Sequence, residues 1–141
     1  MIEKLNSMVE ARSAARFMPK THVPFQYYDC GTFALDMYQE LGILPQGTVF
    51  PRYSVYSRGP KMLNLINDWV TSSKAFHQVD EPAPGDLLVS SLGLRGHHMG
   101  VYLGKDQVAH CCKHRNVTIE NYSTGIFGPY INKIWRPNGL E

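Results

Sequence analysis

The sequence predicts an α+β domain, with helices in the first half and an antiparallel sheet in the second. Three observations carry this. Apolar residues recur at spacings of three and four over residues 2–17, 33–41 and 61–71. Pro82-Ala83-Pro84-Gly85-Asp86 is a strong turn signal. Beyond it every apolar segment is short and strand-like, and helices followed by a run of strands define the α+β class. A chain of 141 residues suits one domain with one core. That domain is expected over residues 1–139, with 1–20 as an N-terminal helix and lead-in. Leu140-Glu141, after Asn138-Gly139, reads as an expression-vector remnant and is set aside.

Taken in order, Ile2, Leu5, Met8 and Val9 mark one face of a short amphipathic helix, whose Arg12 and Arg16 are expected on a solvated side. Pro19 and Pro24 end it. Residues 21–28 are then an extended approach, its aromatics assigned equally to a groove wall or to core. Phe33, Ala34, Met37, Tyr38 and Leu41 form the buried face of the next helix, with Gly42 as its C-terminal stop. Residues 43–60, rich in Pro, Gly, Tyr and Ser, read as a long irregular connection of the kind that often carries function. Leu63, Ile66, Trp69 and Val70 mark a core-packing helix over 61–71. Strands are expected at 87–90, 98–103, 107–111, 117–120 and 131–136. Gly104-Lys105-Asp106 is suited to a hairpin between the second and third.

Cys30 stands where the approach turns into a helix. Asp29 is a favourable N-cap, and a first-turn cysteine feels the positive end of the helix, which favours thiolate. The competing reading is a small buried hydrophobe. His98 opens one strand and His110 closes the next, so the two imidazoles meet if both point to one face. Cys30 as nucleophile, His98 as its base and His110 as the group orienting the base then form one line, once the cysteine helix packs on that face. His97 faces the other way from His98 and either meets solvent or rims the groove. His22, His77 and His114 read as surface or loop residues. Zinc held by Cys30, His98, His110 and Cys111 is the weaker alternative, because no CxxC pair and no helical HxxxH is present; no metal and no cofactor is expected. Cys111 and Cys112 are adjacent in a chain with three cysteines, so no disulfide framework is implied.

A formal net charge of +2 gives no case for a nucleic-acid partner. No stretch is long and apolar enough for membrane insertion. The start, Met1-Ile2-Glu3-Lys4-Leu5-Asn6, lacks the apolar core of a secretory signal, which points to a cytoplasmic protein as synthesised.

The order Asp29-Cys30-Gly31, Pro84-Gly85-Asp86-Leu87-Leu88, His98-Met99-Gly100-Val101-Tyr102-Leu103-Gly104 and a closing His110 resembles the NlpC/P60 cysteine peptidases, over about residues 23–136. Within that family it is similar to the phage and prophage branch of tail-associated cell-wall peptidases, with a Pro-aromatic before the cysteine, Leu41-Gly42-Ile43-Leu44-Pro45 after its helix and a Tyr-rich loop. The resemblance implies a papain-like fold with the nucleophile helix on an antiparallel sheet. It also implies a peptidoglycan stem peptide as substrate, cut beside a γ-linked D-glutamate and before a diamino acid. Cys30, His98 and His110 take the catalytic roles. Asp29 is where the family contacts the substrate's free amine, and Tyr27 or Tyr28 stands for the family's oxyanion-assisting tyrosine. Gly31 and His97 complete the expected substrate-binding set. The family's Gly-rich stretch and Asp-Cys-Ser are replaced here by Gln26-Tyr27-Tyr28-Asp29-Cys30-Gly31, and its wall-binding repeats are absent from this chain. Phage tail proteins are implied partners and the virion tail a possible site of action. A cytoplasmic enzyme recycling wall peptides fits equally. A CHAP-type amidase or an acyltransferase on the same fold, and a structural tail protein without activity, are the competing functions.

Overall fold

The computed structural model describes residues 1–51, 60–93, 96–113 and 115–140. The loop expectations at 43–60 and 93–97 fall partly outside these residues. The reading of His114 falls wholly outside them, as does Glu141.

Helix α1 (Ile2–Ala11) buries Leu5, Met8 and Val9. It ends earlier than expected, because residues 12–14 turn and Arg16–Phe17 form strand β1. The approach to the cysteine holds two further short strands, β2 (His22–Val23) and β3 (Tyr27–Tyr28). They are joined by a turn in which Phe25 has φ 65°. These three make a small sheet in the order β1-β3-β2, with β1 parallel to β3.

Helix α2 (Cys30–Glu40) begins on a capping box. Thr32 N–H donates to Asp29 Oδ1 at 2.8 Å, and Asp29 N–H donates to Thr32 Oγ1 at 2.9 Å. It ends where Gly42 takes φ +75°, with Gly42 N–H donating to Gln39 O and Ile43 N–H to Tyr38 O, a Schellman motif. Helix α3 (Pro60–Ser73) follows and buries Ile66, Asn67 and Val70.

The main sheet has six antiparallel strands: β4 (Phe76–Val79), β5 (Leu87–Ser91), β6 (His97–Gly104), β7 (Gln107–Cys112), β8 (Asn116–Asn121) and β9 (Ile131–Pro137). Their order is β4-β9-β5-β6-β7-β8, so the last strand is inserted between β4 and β5. The β4 strand has no counterpart in the sequence reading; one of its four residues is buried and its pattern does not alternate. The β6–β7 hairpin turns at Lys105 and Asp106, both at positive φ, as a type I′ turn requires.

The sheet separates two apolar clusters. Leu87, Val89, Met99, Val101, Leu103, Ala109, Cys111 and Trp135 lie in the larger one, with Phe33, Ala34 and Met37 of α2 and Leu5, Met8 and Val9 of α1. Leu88, Val108, Phe127 and Ile134 form the smaller one on the opposite face. Arg12 departs from expectation: it is 1 % exposed, not solvated. Its guanidinium meets Asp36 and Glu40 of α2, each at 2.9 Å, because the turn after α1 folds it back under the helix.

Candidate active site

Cys30 is the first residue of α2 and is partly exposed. Its thiol is held among the backbone N–H groups of Met99, Gly31 and Cys30 itself. The thiol therefore reaches β6 one residue from His98. Loss of water and the neighbouring Asp29 carboxylate push it up to about 12, against the pull of those amides. Desolvation and a like charge thus oppose the thiolate-favouring effect of the helix start.

His98 and His110 share a face because of a register shift. Near the turn Gly104 pairs with Gln107, but beyond it Tyr102 pairs with Val108 and Val101 with Ala109, leaving Leu103 as an extra residue. Without that bulge the strand would slip by one and His110 would turn to the face opposite His98. With it, the ring centres are 6.5 Å apart and nearly perpendicular. Both His110 nitrogens are buried with no hydrogen-bond partner among the described residues, so the rings are in contact but not bonded. Burial lowers His98, with neighbouring His97 adding to it. Burial, His98 and Arg115 lower His110 to about 4. Both are therefore neutral at pH 7.

The helix does not lie on the histidine face. Met99, Val101, Ala109 and Cys111 pack beneath α2, and alternation turns His98 and His110 toward Phe127, whose ring is 5.2 Å from that of His110. Gly100 makes room there, since a Cβ would come 2.7 Å from the Phe127 ring.

The substrate-binding candidates separate. Asp29 is 1 % exposed, and its second oxygen accepts Lys20 N–H at 3.0 Å, so its carboxylate serves the helix and the lead-in. Tyr28 is fully buried; its hydroxyl donates to Asp36 at 2.6 Å and accepts from Phe25 N–H at 2.7 Å. That hydroxyl is committed to a structural network, whereas Tyr27 is half-buried. Gly31 lies under Phe50, where a Cβ would come 2.6 Å from the ring. Phe50 in turn packs edge-on to Trp69 at 4.9 Å and so stands over the start of α2. His97 is half-buried on the side of β6 that carries Met99. His22 is not a plain loop residue: it bonds Asp36 at 2.8 Å. His77 is exposed on β4. Among the described residues no group of three His, Cys, Asp or Glu could hold a metal ion, and no helix is long and apolar enough to cross a membrane. Sequence reading missed Phe50, Phe127 and Glu120; none carries a local motif.

A cysteine at a capped helix start, with the helix packed on an antiparallel sheet, defines a papain-like α+β fold. The NlpC/P60 family model matches residues 20–136, and the chain belongs to the NlpC/P60 family. Solved structures agree on the fold. NlpC2 and NlpC1 from Trichomonas vaginalis each superpose with a TM-score of 0.62 at 14 % identity, over 96 % of this chain. The chain spans less than half of those two proteins, 47 % and 44 %. The NlpC/p60 domain of the peptidoglycan hydrolase SagA superposes with a TM-score of 0.59 at 15 % identity, over 96 % of this chain and 98 % of that one. A search of the curated proteins gives no match.

Proposed function

We propose that this chain is a cysteine peptidase that hydrolyses peptidoglycan stem peptides. The observation that carries the reading is the placement of the Cys30 thiol at the backbone amide of Met99, the residue that follows His98 in β6. Family membership and the likeness to SagA, a peptidoglycan hydrolase, support the substrate class. Cys30 rests as a neutral thiol and His98 as a neutral imidazole. As Sγ attacks the amide carbonyl, its proton passes to His98. The amides of Cys30, Gly31 and Met99 surround the thiol and are the donors for the oxyanion. His98 then returns the proton to the leaving amine, and water hydrolyses the acyl-enzyme. His110 serves to orient His98, which requires the two rings to close from their present separation when substrate binds.

The bond cut is the one between γ-linked D-glutamate and the diamino acid, and the setting is a phage tail. Support for both is the family resemblance of the sequence around Cys30 and His98. The proton-retaining thiol and the unbonded His110 favour one other reading, a structural tail protein that keeps the fold. Incubation of the protein and of Cys30→Ala with tripeptide and tetrapeptide muropeptides, followed by mass spectrometry, decides between them. Cleavage to a free diamino-acid amine by the wild type alone is expected. Equal inactivity of both proteins would leave the structural role.

A further inference from the structure

Four polar side chains form a row across four neighbouring strands, on the face turned away from α2. Ser90 of β5 stands directly opposite His98 of β6. His110 of β7 lies diagonal to His98 on that face. The β7–β8 register pairs Val108 with Glu120 and His110 with Thr118, so Glu120 is diagonal to His110 in the same way. Ser90 Oγ, like both nitrogens of His110, is buried without a hydrogen-bond partner among the described residues. Buried polar atoms are nearly always paired, so three such atoms in one row indicate a cost retained for function.

Glu120 closes the row. Its Oε1 is 3.5 Å from His110 Nε2, and the two side chains are 17 % and 3 % exposed. The loop beyond β8 is shaped around it: a Cβ on Gly125 would come 2.8 Å from Glu120 Cδ, and Ile126 N–H donates to the same Oε1 at 3.4 Å. That loop also delivers Phe127 against the other side of His110.

We propose that Glu120 is a positioning residue of the catalytic site: its carboxylate takes the Nε2–H of His110, which leaves Nδ1 as the lone pair that accepts the N–H of His98. A neutral imidazole carries one N–H and one lone pair, and the partner of one nitrogen fixes the role of the other. The carboxylate also offsets the positive charge on His98 while it holds the thiol proton. Burial raises the Glu120 carboxyl above its ordinary range, against the Ile126 amide and the charge of Arg115, which also lies near His110 and favours the ionised form. The kinetic side of this inference rests on the peptidase reading; the tautomer side does not.

The test is a histidine 15N–1H correlation spectrum of the full chain in wild type, Glu120→Gln and Glu120→Leu, with muropeptide kinetics on the same three proteins. The wild type is expected to show His110 with the proton on Nε2. Glu120→Leu should shift His110 toward the other tautomer and lower kcat about ten- to a hundredfold with little change in KM, the range known for the carboxylates that orient metal-binding histidines. Glu120→Gln keeps an accepting oxygen and should recover part of both, and it carries the comparison if Glu120→Leu does not fold. An unchanged His110 tautomer in the substituted proteins overturns the role, as does an unchanged kcat. If the wild type cleaves no muropeptide, the peptidase reading fails, and the tautomer comparison alone decides the role of Glu120.

Discussion

At Cys30 two influences oppose each other. A helix N-terminus draws a thiol toward thiolate, while desolvation and a neighbouring carboxylate hold the proton on. Here the second prevails and the thiol sits at about 12. In a Cys111→Ser, Cys112→Ser background, iodoacetamide labelling of Cys30 should keep accelerating above pH 9. A plateau below about 8.5 would mean that the helix terminus dominates. His110 gives a signal in the opposite pH range. Its affinity for a proton is lower folded than unfolded, so its contribution to stability is complete above about pH 6.5 and is lost as pH falls toward 4. The loss should not exceed about 3 kcal/mol, at about 1.4 kcal/mol per tenfold change in proton affinity. Urea midpoints from pH 7 to 4 should therefore fall more steeply in the wild type than in His110→Asn. Gly31→Ala must displace Phe50 and should cost about 1–3 kcal/mol, the usual range for overpacking, with Phe50→Ala restoring part of it in the double variant. The position of Cys30 at the start of α2 and the meeting of His98 and His110 on one face were legible because each residue lies in a short motif at or near a predicted element end. Arg12 and Tyr28 were not, since what buries them is Asp36, which lies 24 and 8 residues away. No spacing rule links such partners.

Among the elements, α1 and α2 are clasped by one buried cation. Arg12 donates to Asp36, Glu40 and the carbonyl of Met8, while His22 and Tyr28 complete the shell of Asp36. Burial alone would raise Asp36, but the His22 and Tyr28 hydrogen bonds and the Arg12 charge hold it low. Removing one partner strands the other as a buried charge, so Arg12→Ala should cost about 3–5 kcal/mol in urea unfolding. A loss below 1 kcal/mol would show that the clasp is solvated in solution. The helices and five of the six main strands were legible from periodicity and turn residues. The β4 strand was not, because Phe76 alone is buried and His77 and Gln78 face solvent. The bulge at Leu103 was equally hidden: the Gly104-Lys105-Asp106 signal fixes the turn but not the extra residue before it, and that residue decides which face His110 takes.

Over the whole molecule, the first 19 residues precede the family match but not the core. Leu5, Met8, Val9 and Ala15 are buried with the residues beneath α2, and Phe17 N–H is held by Asn116 of β8 at 2.9 Å. A chain starting at residue 20 should lose cooperative thermal unfolding and bind a hydrophobic dye. A sharp transition in that truncated chain would show that the lead-in is an appendage. The α+β class was legible because element order alone restricts it, and the papain-like layering followed from the family resemblance. Strand order was not, since after β8 the chain returns past β7, β6 and β5 before β9 takes its place. That return has a consequence for biosynthesis. The seam between β4 and β5 is made by the last strand, so a nascent chain still lacking residues 131–137 leaves β4 without its paired strand and the β5 edge of the sheet open. The sheet can close only once residues 131–137 have been made, and ribosome-bound chains ending at Tyr130 should stay open to protease until those residues emerge.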